Sequence, residues 1–302
     1  MSIVLVLRHL GPGPHPSGSP QSVHGQGGQS MTKTIPVQVE SSAIASTPLD
    51  FKTSSEAAKY LVAHKIAMKA KLTGLKPTEA SRIVGVLVGL AEKYDVEPWR
   101  ELSTSNFEDY NLPETAEQPT ADVAQYSAGG NRLRINPKYF NVNDGPDDHY
   151  NIRVLGWNGL RQQRAETTAK TLANSQTLHL SDNEIETMKY WGQEEAKYNR
   201  YSVAYKGMGT DPVIVHEFGH NVYGLAEVAG GSREQFQGSY AAVCRRMRED
   251  GSRYRVSAYG HVLGPLGEAF AEWFTMYECG EKDKLPKYTT DFIDHALWLA
   301  RH

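Results

Sequence analysis

The chain has 302 residues, with 32 Lys+Arg against 35 Asp+Glu and a net charge of −3. That length holds one large domain or two smaller ones, with enough core to stand without staples. The mild acidity carries no electrostatic footprint for nucleic acid or an anionic membrane, and excludes both as expected partners.

From the N-terminus, the apolar run at residues 3–7 is too short for a secretory core or a membrane span, which predicts an intracellular protein or one released without a signal peptide. Residues 9–30 are rich in Gly, Pro, Ser, Gln and His, and such a segment buries too little apolar surface to offset its ordering entropy. Residues 1–50 therefore read as a disordered tail, in which Met31 is a second candidate translation start and His9, His15 and His24 are solvated.

Thr53-x-x-Glu56 has the form of a capping box, and Ala58, Leu61, Val62, Ile66 and Met68 follow at near-helical spacing, predicting a helix that runs to Gly74. Pro77 opens a second helix with Ile83, Val84, Leu87, Val88 and Leu90 on its apolar face, stopped by Asp95 and Pro98. Two helices joined by a short turn invite a DNA-binding reading, but no basic recognition face accompanies them. Residues 51–110 are read instead as a helical hairpin packed on the main domain.

Residues 111–130, with two prolines and Gly129-Gly130, read as a linker, and residues 131–302 as the main domain. Residues 132–136 alternate like a half-buried strand broken by Pro137. The three aspartates of residues 141–148 miss the EF-hand spacing and read as a solvated loop. A helix is expected over residues 158–174, with Leu160, Ala169 and Leu172 inward, then a short strand at 177–180. Ser181-x-x-Glu184 caps another helix, on which Ile185, Met188, Trp191 and Tyr198 recur. Residues 201–205 alternate as a strand, expected to lie along a cleft where an extended peptide could add to its edge.

Residues 211–221 carry the chemistry. Asp211 is expected to cap a helix and Pro212 to occupy its first position. His216 and His220 then share a face one turn apart, and Glu217 sits about 100° further round. Two imidazoles suit Zn²⁺. The flanking Val213, Ile214, Val215 and Phe218 make the helix apolar, and burying three titratable groups there without a task is costly. Later, Ser232-x-x-Gln235 caps a helix with Phe236, Tyr240, Val243 and Met247 on one side. The arginines 245, 246, 248, 253 and 255, diluted by Glu249 and Asp250, read as a solvated helix end, and residues 253–259 as a strand or extended loop. Cys244 and Cys279 have neither CxxC nor zinc-finger spacing, so buried free thiols are expected.

Catalytic zinc takes a third protein ligand. Gly264-Pro265 offers a helix start, and Glu268 and Glu272 would then lie one turn apart among Ala269, Phe270, Phe274 and Tyr277. Two carboxylates so placed make sense if one binds a cation and the other holds a ligand histidine.

His216-Glu217-Phe218-Gly219-His220, with Glu268-Ala269-Phe270-Ala271-Glu272 following 48 residues after His220, resembles the gluzincin metallopeptidases. Within them it is most similar to the catalytic domain of anthrax lethal factor and related bacterial and bacteriophage-encoded metallopeptidases. The resemblance spans roughly residues 125–280. It implies an α+β, mainly helical zincin-like domain with a small mixed or antiparallel sheet, in a cytoplasmic or virion-associated protein. It implies His216, His220 and Glu268 as zinc ligands, Glu217 as general base and Glu272 as the outer carboxylate on a ligand histidine. The reverse assignment, with Glu272 on the metal and Glu268 outside, fits the same spacing. It further implies an oxyanion-stabilising tyrosine, for which Tyr259 is the nearest match, two residues further from Glu268 than in the family, with His261 as the alternative. The expected substrate is a protein or peptide. The rival expectation is a head-associated phage structural protein with a zinc site, although a structural site takes a fourth ligand and needs no base.

Overall fold

The computed structural model describes residues 44, 46–104, 124–127, 130–141, 168–177, 179–198, 200, 203, 205, 208–230, 232–260 and 267–302, all within one of two compact units, Val39–His302. Of the tail expected at 1–50, Ile44 is buried and Thr47 donates its amide to the Gly85 carbonyl at 3.1 Å, whereas residues 1–43 and 45, most of the 111–130 linker, the aspartate loop beyond residue 141, residues 158–167 and His261 lie outside the described residues.

Helix α1 (Ser54–Ala63) is capped by Thr53, whose side chain accepts from the Glu56 amide at 3.1 Å, while Glu56 accepts from the Lys52 amide at 2.9 Å. The reciprocal bond of a capping box thus lands one residue early. The helix does not continue to Gly74. Lys65 turns to a positive φ of 57°, the Ile66 and Ala67 amides fold back onto the Leu61 carbonyl, and the chain becomes extended, reaching strand β1 (Ala70–Lys71). Ile66 is buried but Met68 is 66% exposed, so the apolar spacing beyond residue 63 was not a helical face.

Helix α2 (Pro77–Tyr94) starts on its proline and ends at Asp95, which adopts the left-handed conformation. Strands β2 (Glu101–Thr104), β3 (Ala124–Ser127) and β4 (Arg132–Ile135) complete a sheet in the order β1-β2-β4-β3. β1 with β2 and β2 with β4 are parallel, and β3 with β4 is antiparallel, with Tyr126 opposite Leu133. The alternation expected at 132–136 is β4, burying Leu133 and Ile135 and exposing Arg132 and Arg134. Pro137 then opens the short helix α3 (Pro137–Phe140). Residues 51–110 therefore supply β1 and β2 to the sheet that holds β4, and one apolar core reaches from Ile44 to Ala300.

Residues 168–173 are helical, but Thr171 is the buried member, Leu172 is half-buried and Ala169 is exposed. The strand expected at 177–180 is a turn at its described positions: His179 has a φ of 51° and the Leu180 amide returns to the Ser175 carbonyl. Helix α4 (Asp182–Ala196) begins directly after Ser181. Of residues 201–205 only Val203 and Tyr205 are described; both are buried and neither is in a strand.

Helix α5 (Asp211–Ala229) is the centre of the fold, packing on α2, β3, helix α6 (Arg233–Glu249), helix α7 (Glu268–Glu278) and helix α8 (Lys287–Arg301). Asp211 is its first residue rather than its cap, and Pro212 its second. The Asp211 carboxylate accepts from Arg82 on α2 at 2.6 Å instead of from its own first turn. Ser232 caps α6, accepting from the Gln235 amide at 3.3 Å. Residues 253–259 are not extended: Ser252–Arg255 is a 3₁₀ turn and residues 258–260 are helical. In the arginine cluster, Arg246 lies over the Tyr288 ring and Arg253 pairs with Glu194, while Arg245, Arg248 and Arg255 are exposed. Cys244 and Cys279 are free thiols, the first half-buried and the second buried. The class is mixed α+β, mainly helical, with a small four-stranded mixed sheet. No described helix is long and apolar enough to cross a membrane.

Candidate metal centre

The α5–α7 contact sets the site. Gly219 lets the two helices touch: a Cβ there would lie 3.0 Å from Phe274 Cβ and 3.1 Å from Ala271 Cα. Gly267, at a φ of 98°, turns the chain into α7 with Glu268 as its first residue. His216 and His220 on α5 thereby face Glu268 and Glu272 on α7. All four side chains lie among apolar neighbours; three are buried and His220 keeps 14% of its side chain exposed.

Glu268 Oε2 is 3.1 Å from His216 Nε2 and 3.3 Å from His220 Nε2. One ligand atom each from His216, His220 and Glu268 falls within 4.8 Å of the others. Four ligands at about 2.0–2.1 Å around a tetrahedral zinc stand about 3.3–3.4 Å apart, so these separations and this donor set fit such an ion. Glu272 takes the other nitrogen of the ring, with Oε1 3.0 Å from His216 Nδ1. Its second oxygen accepts the Val203 amide at 2.7 Å, and the Ser257 hydroxyl adds a further hydrogen bond. Glu217 is buried at 6% exposure on the same helix. The Tyr259 ring is half-buried, centred 6.1 Å from that of His216 and tilted by 49°.

The electrostatics follow from this packing. Burial alone would lower the His216 pKa, but the Glu268 and Glu272 carboxylates at its two nitrogens outweigh burial and push it up to about 10. Burial alone would raise both glutamates, yet hydrogen bonds and charge from the imidazoles hold Glu268 well below the carboxylate range and also lower Glu272. The site thus holds two carboxylates kept ionised among buried side chains, an arrangement that favours a positive charge between them.

Three partners carried no sequence signal. Tyr126 of β3 stacks on His220 at 6.2 Å with an 8° interplanar angle. Burial and the charge of Glu227 push its hydroxyl up to about 12, so it stays protonated. A lone aromatic in a four-residue strand has no spacing that would mark it. The Val203 amide belongs to the backbone, and Ser257 is one serine among many.

No protein-family model, curated protein or solved structure matches the chain.

Proposed function

We propose that this chain is a zinc-dependent endopeptidase. The observation that carries the reading is the convergence of His216, His220 and Glu268 within 4.8 Å, with a buried glutamate, Glu217, immediately beside the first histidine. Zinc held by those three residues would lower the pKa of its water towards about 7 and polarise a peptide carbonyl. Glu217 is the general base, taking a proton from the attacking water and passing it to the leaving amine nitrogen. Tyr259, beside His216, donates its phenolic hydrogen to the oxygen on which negative charge develops. Glu272 accepts from His216 Nδ1, which leaves Nε2 unprotonated for the metal and fixes the ring plane.

The substrate position is also proposed from the fold. β3 ends the sheet, and beyond β4 it has no strand partner among the described residues. The ring of its Tyr126 lies parallel to that of His220 with centroids 6.2 Å apart, so a peptide added to that edge would run near the residues proposed to hold the metal. Val203, in the segment first expected to take that task, is poorly suited to it, because its amide is engaged by Glu272.

The reading is tested by measuring zinc content and profiling a peptide library with the purified protein. About one zinc per chain, with cleavage that stops on chelation and returns on adding zinc, is expected. Cleavage that persists in the zinc-free protein would contradict the reading.

A further inference from the structure

A buried ion pair outside the metal site has no role in the chemistry above. Arg200 Nη2 lies 2.6 Å from Glu281 Oε2, with Glu281 buried and the Arg200 side chain only 20% exposed. The same Glu281 oxygen accepts from the Tyr205 hydroxyl at 2.8 Å, and Glu281 Oε1 pairs with Lys284. Arg200 Nε donates to the Val256 carbonyl at 2.7 Å, and the Arg200 carbonyl accepts the Ala258 amide at 3.0 Å.

These bonds have one geometrical consequence. Arg200 and Tyr205 flank Val203, and Val256 and Ala258 flank Ser257. Both intervening residues donate to Glu272, the carboxylate on His216 Nδ1. Tyr259, against the His216 ring, follows directly after Ala258. One ion pair therefore holds both segments that orient Glu272.

We infer that Arg200, Glu281 and Tyr205 form a positioning clamp for the metal centre, acting through Glu272 on His216; the inference rests on the metallopeptidase reading. A buried ion pair is weak as a source of stability, because desolvation offsets its attraction, and an apolar pair of similar volume often folds as well. Here it defines a geometry. Without it the chain around Val203 and Ser257 loses its fixed register, and Glu272 loses the two donors that hold it against the imidazole.

The test is a double-mutant cycle read as zinc affinity by chelator competition. Arg200→Met with Glu281→Leu removes both buried charges of the pair, and Lys284, whose side chain is 39% exposed, is left to solvent. The expected result is a loss of about 10-fold in zinc affinity, within the range for outer partners of a metal ligand. In a Glu272→Ala background the same pair of substitutions is expected to cost nothing further. Tyr205→Phe, which deletes one hydroxyl, is the gentler variant should the double replacement fail to fold, and its smaller loss is also expected to vanish without Glu272. Unchanged affinity in the folded variants, or an equal loss with and without Glu272, would overturn the clamp and leave the metal reading standing. A wild-type protein that binds no zinc would overturn both.

Discussion

Glu272 and Glu268 approach His216 from opposite sides of its ring, Oε1 at 3.0 Å from Nδ1 and Oε2 at 3.1 Å from Nε2. Only Glu268 also reaches His220, at 3.3 Å. The two carboxylates, one helical turn apart on α7, consequently have different expected effects. Glu268→Ala should abolish stoichiometric zinc binding. Glu272→Ala should leave a site that fills at higher zinc, with affinity reduced about 10–100-fold. Zinc titrations of the two variants separate the roles, and the opposite ranking would place Glu272 on the metal.

The raised His216 pKa gives metal binding a pH dependence of known sign. In the metal-free protein the flanking carboxylates favour a second proton on the His216 ring, at Nε2, up to a pH of about 10. Zinc needs that nitrogen unprotonated, so binding near neutral pH should release about one proton, and apparent affinity should rise with pH. Calorimetry in buffers of different ionisation enthalpy reads the proton count directly. For folding without metal the sign is reversed. A group whose pKa is raised in the folded state contributes stability that is full below its unfolded value near 6.5 and is lost as pH climbs through about 10.

Tyr126 should matter through its ring rather than its hydroxyl. It stacks flat on His220, for which no outer carboxylate is seen among the described residues. Tyr126→Phe is expected to keep wild-type zinc affinity, whereas Tyr126→Ala is expected to lower it severalfold, on the order of the loss for other outer partners. Equal affinities in all three proteins would show that the stack does not orient the ligand.

Gly219 tests the packing that brings the ligands together. A valine there must push α7 away, since a Cβ would already sit 3.1 Å from the backbone of Ala271. Overpacking of this kind costs about 1–3 kcal/mol, and denaturant unfolding of Gly219→Val should show it. Zinc affinity should fall with it, because the histidines and the glutamates ride on the two helices being separated.

What could be read from the sequence follows the range over which each signal acts. The helices at α2, α5 and α6 were legible because proline, a serine cap and 3.6-residue spacing are local. The α1 boundary was missed because Ile66 is apolar in either conformation, and its burial comes from an extended segment that bridges Ala67 to Trp99. The turn at residues 177, 179 and 180 and the helical turns at 252–260 were mistaken for extended chain for the same reason: short apolar alternation does not distinguish them. His216, His220 and the Glu268–Glu272 pair stood out because ligand chemistry restricts residue type as well as spacing, although spacing did not separate the two glutamates. Tyr126, Val203 and the Arg200–Glu281 pair did not, since their meaning lies only in which distant residue they meet.

The central claim is that Glu217 moves the proton in a zinc-dependent peptide cleavage. Its most direct test compares wild type with Glu217→Gln on the same peptide substrate, after zinc content has been measured in both. The account predicts equal zinc in the two proteins and cleavage lost from the variant, by at least the roughly 10²–10⁴-fold that general-base catalysis supplies. A zinc-loaded Glu217→Gln protein that cleaves at the wild-type rate would contradict it.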